Sequence, residues 1–256
     1  MGMGNKAQNR IQSAQVAFRI VENLKELEGA GVSELARELD MPKSTTHNYL
    51  STLEENEYLT KEDGAYYVGV RFLELGSYVR NRRKIYEIAK PEVRDLAQET
   101  GELANLLVEE HGKGTYLQRA RGERAVNVEA PEGARVPLYC TGLGKSILAH
   151  LPEDRVETII EREGLEQVTS NTVSGREALF EQLEEIRQRG YALDDEERIQ
   201  GLRCVAAPIL STDDRVLGAL SVAGPSNRIR GERYRETLPN KVLETVNVIE
   251  LNVTYS

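Results

Sequence analysis

The chain has 256 residues, enough for one large domain or two of ordinary size. Its hydrophobic content of 39% predicts a packed core, which must be mainly aliphatic because there is no Trp and only three Phe. The net charge of −9 lies entirely in residues 85–256, since residues 1–84 carry equal numbers of acidic and basic side chains. No apolar run approaches the ~20 residues of a membrane span, and the opening sequence MGMGNKAQNR has no apolar stretch typical of a secretory signal. We therefore expect a cytoplasmic protein with no membrane contact.

The N-terminal part of the chain predicts three helices and a hairpin. Apolar residues recur at helical spacing over residues 11–28, and the sequence GAG ends that pattern. Ser33 is predicted to cap a short second helix, Asp40–Met41 to form a tight corner, and Pro42 to lie in the first turn of a third helix. Two short strands follow around Asp63–Gly64, a pair that favours a hairpin turn. Together these elements indicate a helix-turn-helix with a wing.

The remainder of the chain mixes strands and helices without strict alternation, which predicts an α+β domain rather than a doubly wound one. Residues 70–100 are predicted to be helical, with a break near NRRK, where a basic cluster either contacts the DNA backbone or forms an exposed linker. Strands are predicted over residues 103–112, 114–122, 124–130, 202–210 and 215–225, and residues 191–197 are predicted to form a short strand followed by an acidic loop. Helices are predicted over residues 141–151, 153–163, 175–190 and from about residue 232.

The third helix has two unlike faces. Helical spacing places Thr46, Leu50 and Leu53 toward the core. The opposite face carries side chains suited to base edges and phosphates, because Asn pairs with adenine and Ser or Thr with either group: Lys43, Ser44, His47, Asn48 and Ser51. Polar residues on a single helix are also typical of a solvated surface, and the balanced charge is lower than that of most DNA-binding modules. The preceding helix, the corner and the wing favour DNA binding.

Five segments, in this order, resemble blocks of the IclR (isocitrate lyase regulator) family of bacterial and archaeal transcription factors: IQSAQVAFRIVENL, PKSTTHNYLSTLEENEYL, YYVGVRFLELG, PLYCTGLGKSILAHL and GYALDDEERIQGLRCVAAPI. The resemblance, with the acidic bias, suggests an archaeal, halophile-like member. It implies a winged helix-turn-helix DNA-binding domain at residues 8–70, a linker helix at 71–84 and a GAF-like effector-binding domain at 85–256. It also implies assembly as dimers or tetramers.

The resemblance assigns residues to two sites. The expected DNA contacts are Lys43, Ser44, Thr45, His47, Asn48, Ser51 and Lys61. The expected effector contacts are Gly142, Leu143, Asp194, Leu202, Cys204, Ser221 and Ala223. The effector is expected to be a small carboxylate near the N–H groups that begin the helix at Gly142.

Four positions depart from the family pattern. Asp40 stands where Gly is usual at the corner, Thr46 replaces a branched apolar residue, and Asn48 replaces a common Arg, so the operator sequence is not transferable. Ala223 stands where some members have a second Ser, which leaves room for an effector larger or less oxidised than glyoxylate.

Other motifs indicate little chemistry. TGLGKS at 141–146 resembles a phosphate-binding loop, but the Gly that the full motif needs is Tyr139. The acidic sequence LDDEE at 193–197 has no His partners and is typical of a solvated loop rather than a metal site. The three histidines are scattered, so no catalytic residue, metal or cofactor is predicted.

Two main hypotheses remain. The first is a transcriptional regulator, not an enzyme, that binds a double-stranded DNA operator and a small organic acid. The alternative is a GAF-like thiol-redox enzyme using Cys204 or Cys140, which would need an accessible thiolate of low pKa. A third hypothesis, a protein-interaction module with a decayed DNA domain, is disfavoured by the intact turn and wing.

Overall fold

The computed structural model describes residues 11–128 and 130–255. Contacts divide the described chain into two compact units, 11–79 and 80–255, and the division falls in the last turn of one helix. The first residues of the predicted DNA-binding domain, 8–10, and the last residue of the predicted effector domain, 256, lie outside the described residues. Among the described residues, none of the helices combines the length and apolar character that crossing a membrane requires.

The first unit is a helix-turn-helix followed by a hairpin, as predicted. Its elements are α1 (Gln12–Glu26), α2 (Val32–Glu38), α3 (Lys43–Glu55), β1 (Leu59–Glu62), β2 (Ala65–Val68) and α4 (Arg71–Asn81). The strands pair antiparallel across the two-residue turn Asp63–Gly64. Both turn residues have positive φ, 48° and 87°, the backbone that a tight two-residue hairpin requires.

An aliphatic core joins these elements. The buried side chains of α1, α2, α3 and the hairpin form one cluster, which contains Ile20, Leu24, Leu35, Leu39, Leu50, Leu59 and Tyr66. The predicted cap at Ser33 is wrong. Helix α2 begins two residues earlier than that cap implies, at Val32, with Gly31 as its N-cap, and Ser33 is an exposed residue of the first turn. The backbone just before the helix is held in place because Ala30, the residue preceding the N-cap, pairs with Tyr66 of the hairpin.

The second unit is a sheet between two layers of helices. Its elements are α5 (Lys84–Thr100), β3 (Leu103–Glu110), β4 (Lys113–Arg121), β5 (Arg135–Pro137), α6 (Gly142–Leu148), α7 (Glu153–Glu163), α8 (Arg176–Arg189), β6 (Ala192–Asp195), β7 (Leu202–Leu210), β8 (Val216–Pro225) and α9 (Leu238–Tyr255). A short π-helical turn, Arg233–Thr237, leads into α9. In the described chain, six antiparallel strands lie in the order β5-β4-β3-β8-β7-β6.

The two sheet faces carry separate cores, because side chains alternate between the faces along each strand. Helices α5 and α9 cover one face, against residues such as Leu106, Val205 and Val222. Helices α6, α7 and α8 cover the other, against Leu107, Ala206 and Ala219. The predicted α+β class and the predicted break in the helical stretch 70–100 are confirmed, since α4 ends at Asn81 and α5 begins at Lys84.

One predicted strand is wrong. Residues 124–128 form a loop, and position 129 lies outside the described residues. The free edge of β4 is occupied instead by the strand β5, which the sequence did not predict, and by the Glu132 carboxylate, which accepts the Arg119 N–H at 3.2 Å. The alternating apolar residues of this stretch therefore find no strand to pair with, and Val126 and Val128 face a surface pocket.

Candidate functional site

Helix α3 has one buried and one exposed face, as predicted. Thr46 and Leu50 are fully buried, and Leu53 is half-buried. Of the predicted DNA contacts on this helix, Ser51 is half-buried, whereas five are exposed within the first two turns: Lys43, Ser44, Thr45, His47 and Asn48. The exposed face is therefore polar and presents hydrogen-bonding groups to solvent.

Two departures from the family pattern have a local physical explanation. Asp40 has φ of 51°, a left-handed conformation that Gly adopts freely and that Asp tolerates better than most residues. The hydroxyl of buried Thr46 donates to the Pro42 carbonyl at 3.1 Å, one turn back, so it leaves no unsatisfied polar group in the core.

Lys61 lies on the first strand of the hairpin and is exposed. Its ammonium nitrogen is 5.0 Å from the centre of the buried Tyr66 ring, a cation–π distance that orients the side chain along the wing. The predicted DNA contacts thus all lie on α3 or the wing of a single compact unit.

The basic cluster near residue 82 is partly neutralised within the second unit. Arg80 forms an ion pair with Glu132 and stacks on the Tyr86 ring, and Arg83 pairs with Glu110 at 2.7 Å. These pairs favour a structural role for the two arginines over an open phosphate-binding patch.

A cavity of about 40 Å³ opens on the α6 face of the sheet, and we call it the sheet cavity. All seven residues predicted to contact the effector line it: Gly142, Leu143, Asp194, Leu202, Cys204, Ser221 and Ala223. Eight further residues of the described chain also line it: Leu103, Asn105, Tyr116, Arg119, Val128, Thr141, Arg198 and Ile199.

Strand register explains why distant residues meet in this cavity. One row across the sheet runs from Leu103 through Ala223 and Cys204 to Asp194, each pairing with the next. The adjacent row on the same face pairs Arg119 with Asn105 and Asn105 with Ser221. In that row the Arg119 guanidinium donates to the side-chain oxygen Oδ1 of Asn105 at 2.9 Å, and the side-chain nitrogen Nδ2 of Asn105 donates to the Ser221 hydroxyl at 3.2 Å.

Asp194 is the acidic group of the sheet cavity. One carboxylate oxygen accepts the Glu197 N–H at 3.0 Å, and the other accepts the Gly142 N–H at 3.3 Å. Burial and the charge of Glu197 raise the pKa of Asp194 to about 6, against the opposing effect of these N–H bonds and of Lys145. The side chain thus forms part of the wall and also fixes the backbone of the next loop.

The Lys of TGLGKS has a structural partner. Lys145 is buried, and its ammonium group forms an ion pair with buried Glu197 and donates to Gln182 at 3.0 Å. A buried ammonium group that is paired in this way is not free for a phosphate. The motif is therefore not a phosphate-binding loop.

The acidic sequence 194–197 is not the solvated loop that we expected. Besides Asp194 and Glu197, Asp195 pairs with Arg203 at 2.6 Å, and Glu196 accepts the Gly201 N–H at 2.7 Å. Across the described chain, no group of three or more His, Cys, Asp or Glu side chains is arranged to hold a metal ion.

Both thiols are unsuited to redox catalysis. Cys140 and Cys204 are buried. Burial raises the pKa of Cys140 to about 11, and burial with the charge of Asp194 raises the pKa of Cys204 further. A nucleophilic cysteine needs the opposite shift. Cys204 therefore acts as part of the cavity wall.

Sequence reasoning missed the two arginines of the sheet cavity. Arg119 is half-buried and held by Asn105 and by the Val128 carbonyl at 3.2 Å. Arg198 follows the acidic sequence directly and is also half-buried. Simple alternation along β4 would have placed Tyr116 and Arg119 on opposite faces of the sheet. A bulge in β4 opposite Leu106 and Leu107 brings both to the cavity.

A winged-helix unit joined to a sheet domain with a small polar cavity defines the class of ligand-controlled transcription factors. Two family models match this chain: the IclR helix-turn-helix domain over residues 13–63, and the bacterial transcriptional regulator IclR C-terminal domain over residues 77–251. The chain belongs to the IclR family of transcriptional regulators. Family membership thus supports the regulator hypothesis over the thiol-redox enzyme.

Curated relatives agree along nearly the whole chain. The "Probable HTH-type transcriptional regulator ArcR" of Halobacterium salinarum is 35% identical over 97% of this chain and 96% of its own length. The transcriptional repressor IclR of Escherichia coli is 32% identical over 90% of this chain and 86% of its own length. A solved IclR homologue from Microbacterium hydrocarbonoxydans, complexed with 4-hydroxybenzoate, shares the fold with a TM-score of 0.79 at 24% identity, over 94% of this chain and 100% of that one.

Proposed function

We propose that this regulator binds a two-fold symmetric operator through α3 and the β1–β2 hairpin, and that a small carboxylate in the sheet cavity controls this binding. The exposed polar face of α3 carries the proposal: five hydrogen-bonding side chains face solvent while Thr46 and Leu50 are fully buried beneath them. In this proposal the protein is cytoplasmic and represses transcription. Its Escherichia coli relative is named a transcriptional repressor.

The effector is proposed from the cavity itself. The sheet cavity is small, buried in a domain core and lined by both charged and apolar groups, which is typical of a site for a small polar metabolite. A fold neighbour complexed with 4-hydroxybenzoate, a carboxylate, supports this class. The effector controls DNA binding by preferring one arrangement of the subunits, because only a difference in affinity shifts an equilibrium.

Self-association is proposed from the exposed surface of α4. This helix buries none of its residues, although several are apolar. Leu73 is 71% exposed and Tyr78 is 67% exposed. Exposed apolar surface of this kind marks an interaction site. A second copy is the partner that a symmetric operator requires, since the two half-sites lie about one helical turn or a multiple of it apart.

The DNA-binding proposal predicts a loss of affinity when the face of α3 is truncated. Fluorescence anisotropy with duplexes from upstream of the gene and its neighbours, over a series of salt concentrations, gives the affinity. Asn48→Ala and Ser44→Ala should each weaken specific binding by about tenfold, since one base contact contributes about 1–3 kcal/mol. Ser174→Ala, which removes an exposed hydroxyl from the second unit, is the matched control and should bind like the native protein.

The same assay tests control by the effector. Small organic acids titrated into the complex should change the anisotropy if the sheet cavity is the regulatory site. Specific binding that survives both α3 substitutions would contradict the role of this face. A complex that responds to no carboxylate would contradict the effector.

A further inference from the structure

The sheet cavity carries two positive charges that form no ion pair with a described acidic side chain. Arg119 and Arg198 both line it, and neither forms an ion pair with any of the described residues. Burial lowers the pKa of Arg119, and the charge of Arg198 lowers it further, so the two guanidinium groups repel each other. An anion between them would relieve both the repulsion and the cost of burial.

At the start of α6, where the sequence suggested a carboxylate, two of the N–H groups already have acceptors within the protein. The Gly142 N–H donates to Asp194 at 3.3 Å, and the Gly144 N–H donates to the Thr141 hydroxyl at 3.0 Å. A ligand carboxylate placed there would face the Asp194 carboxylate, which is the one acidic side chain among the described residues of the cavity lining. The cavity thus has an acidic end at Asp194 and a basic end at the two arginines.

We infer that Arg119 and Arg198 bind the carboxylate of the effector, and that Asp194 accepts a hydrogen bond from a hydroxyl group on the same molecule. The inference rests on the proposed effector function and names the ligand class: a small hydroxy acid. A cavity of about 40 Å³ suits such a ligand, since it has room for about three water molecules.

The protein holds both ends of the site in place before a ligand arrives. Asn105 and the Val128 carbonyl fix Arg119. The loop that carries Arg198 is pinned at the preceding residue, because the Glu197 N–H donates to Asp194 and its carbonyl accepts the Thr169 hydroxyl at 3.0 Å. Such preorganisation reduces the entropy lost on binding.

Isothermal titration calorimetry of the full chain with three small molecules tests the basic end and the acidic end of the cavity separately. Glycolate has both the carboxylate and the hydroxyl, acetate lacks the hydroxyl, and glycolamide lacks the charge. Glycolate should bind at least tenfold more tightly than either of the others. Titration in two buffers of different ionisation enthalpy should show no proton uptake at pH 7.5, because the carboxylate meets arginines and not Asp194.

Substitution of the arginines tests the basic end directly. Arg198→Gln should weaken glycolate binding at least tenfold and remove its advantage over glycolamide. Arg119→Gln should do the same, but it also breaks the hydrogen bond to Asn105. Arg198→Gln is therefore the decisive variant, because the Arg198 side chain forms no hydrogen bond with the described chain. Arg135→Gln, at the exposed first residue of β5, removes the same charge away from the cavity and should bind glycolate like the native protein.

The outcomes distinguish this inference from the proposed function. Glycolate binding that is unchanged by Arg198→Gln and Arg119→Gln, or that takes up a proton, would overturn the arginine assignment and leave a carboxylate effector standing. Absence of binding by any carboxylate probe, with DNA binding intact, would overturn the inference together with the effector part of the proposed function.

Discussion

A carboxylate in the wall of a small cavity is costly in its charged form, and Asp194 shows how the protein accommodates one. Two backbone N–H groups donate to it, yet burial and Glu197 still raise its pKa to about 6. Relative to the protonated form, the ionised form of Asp194 is therefore less favourable in the folded chain than in the unfolded chain. The same side chain positions the loop of Arg198, so its cost is linked to the geometry of the cavity.

This raised pKa predicts a characteristic dependence of stability on pH. Between pH 4 and pH 6 the folded state keeps a proton that the unfolded state has lost, so the free energy of unfolding falls as the pH rises. Relative to Asp194→Asn, the native protein should lose roughly 2 kcal/mol from pH 4 to pH 7. Urea denaturation of both proteins at each pH measures this, and the comparison cancels other titrating groups. A constant difference between the two proteins would contradict the raised pKa.

At the scale of the element, α6 shows what the glycines of TGLGKS do. A Cβ at Gly144 would lie 2.1 Å from the Leu138 carbonyl oxygen, so this glycine allows the helix to pack against the preceding backbone. The nearest neighbours of a Cβ at Gly142 would all be side chains, with Cys204 Sγ at 3.3 Å, Asp194 Cβ at 3.4 Å and Ala206 Cβ at 3.5 Å. One glycine serves packing, and the other keeps the sheet cavity open.

The two glycines predict opposite consequences of adding one methyl group. Gly144→Ala should destabilise the second unit by about 3 kcal/mol, because backbone must move to accept the new atom. Gly142→Ala should cost no more than about 1 kcal/mol while it reduces glycolate binding. Urea denaturation gives the stabilities and calorimetry the binding. Equal stability losses in the two variants would contradict the distinct roles.

At the scale of the whole molecule, we predict that the exposed apolar side chains of α4 contact a second copy of the chain. We predict that the double variant Leu73→Glu, Tyr78→Glu has a lower molecular mass in solution than the native protein, measured by size-exclusion chromatography with light scattering. Its DNA affinity should fall too, since a symmetric operator is read by two copies. Val168→Glu, at a half-exposed valine of the second unit, is the control. A native protein with the mass of one chain would contradict this prediction.

Local signals in the sequence predicted the fold well. Helical spacing gave α1, α3 and α8 with nearly the right ends, and Asp63–Gly64 gave the hairpin, because these signals act over a few residues. The strand predicted around Val126 failed for a long-range reason: β5 and Glu132 already occupy the edge of β4. Local alternation contains no information about which edges are free.

The candidate site was predictable only in part. Asp194, Cys204 and their five companions came from the resemblance and do line one cavity. Arg119 and Arg198 were missed because their relation to Ser221 exists only through the strand order β4-β3-β8 and the loop after β6. Nothing in the spacing of these residues along the chain indicates that order.

The separation of the two cores by the sheet has a consequence for engineering. The positions that shape the cavity on β7 and β8, Cys204, Ser221 and Ala223, alternate with Val205 and Val222, which hold α5 and α9 in place. A library that varies only the cavity positions therefore leaves half of the domain core untouched. The chain is suited to retuning as a biosensor, in which new ligand preferences are selected while the scaffold and its DNA-reading unit stay constant.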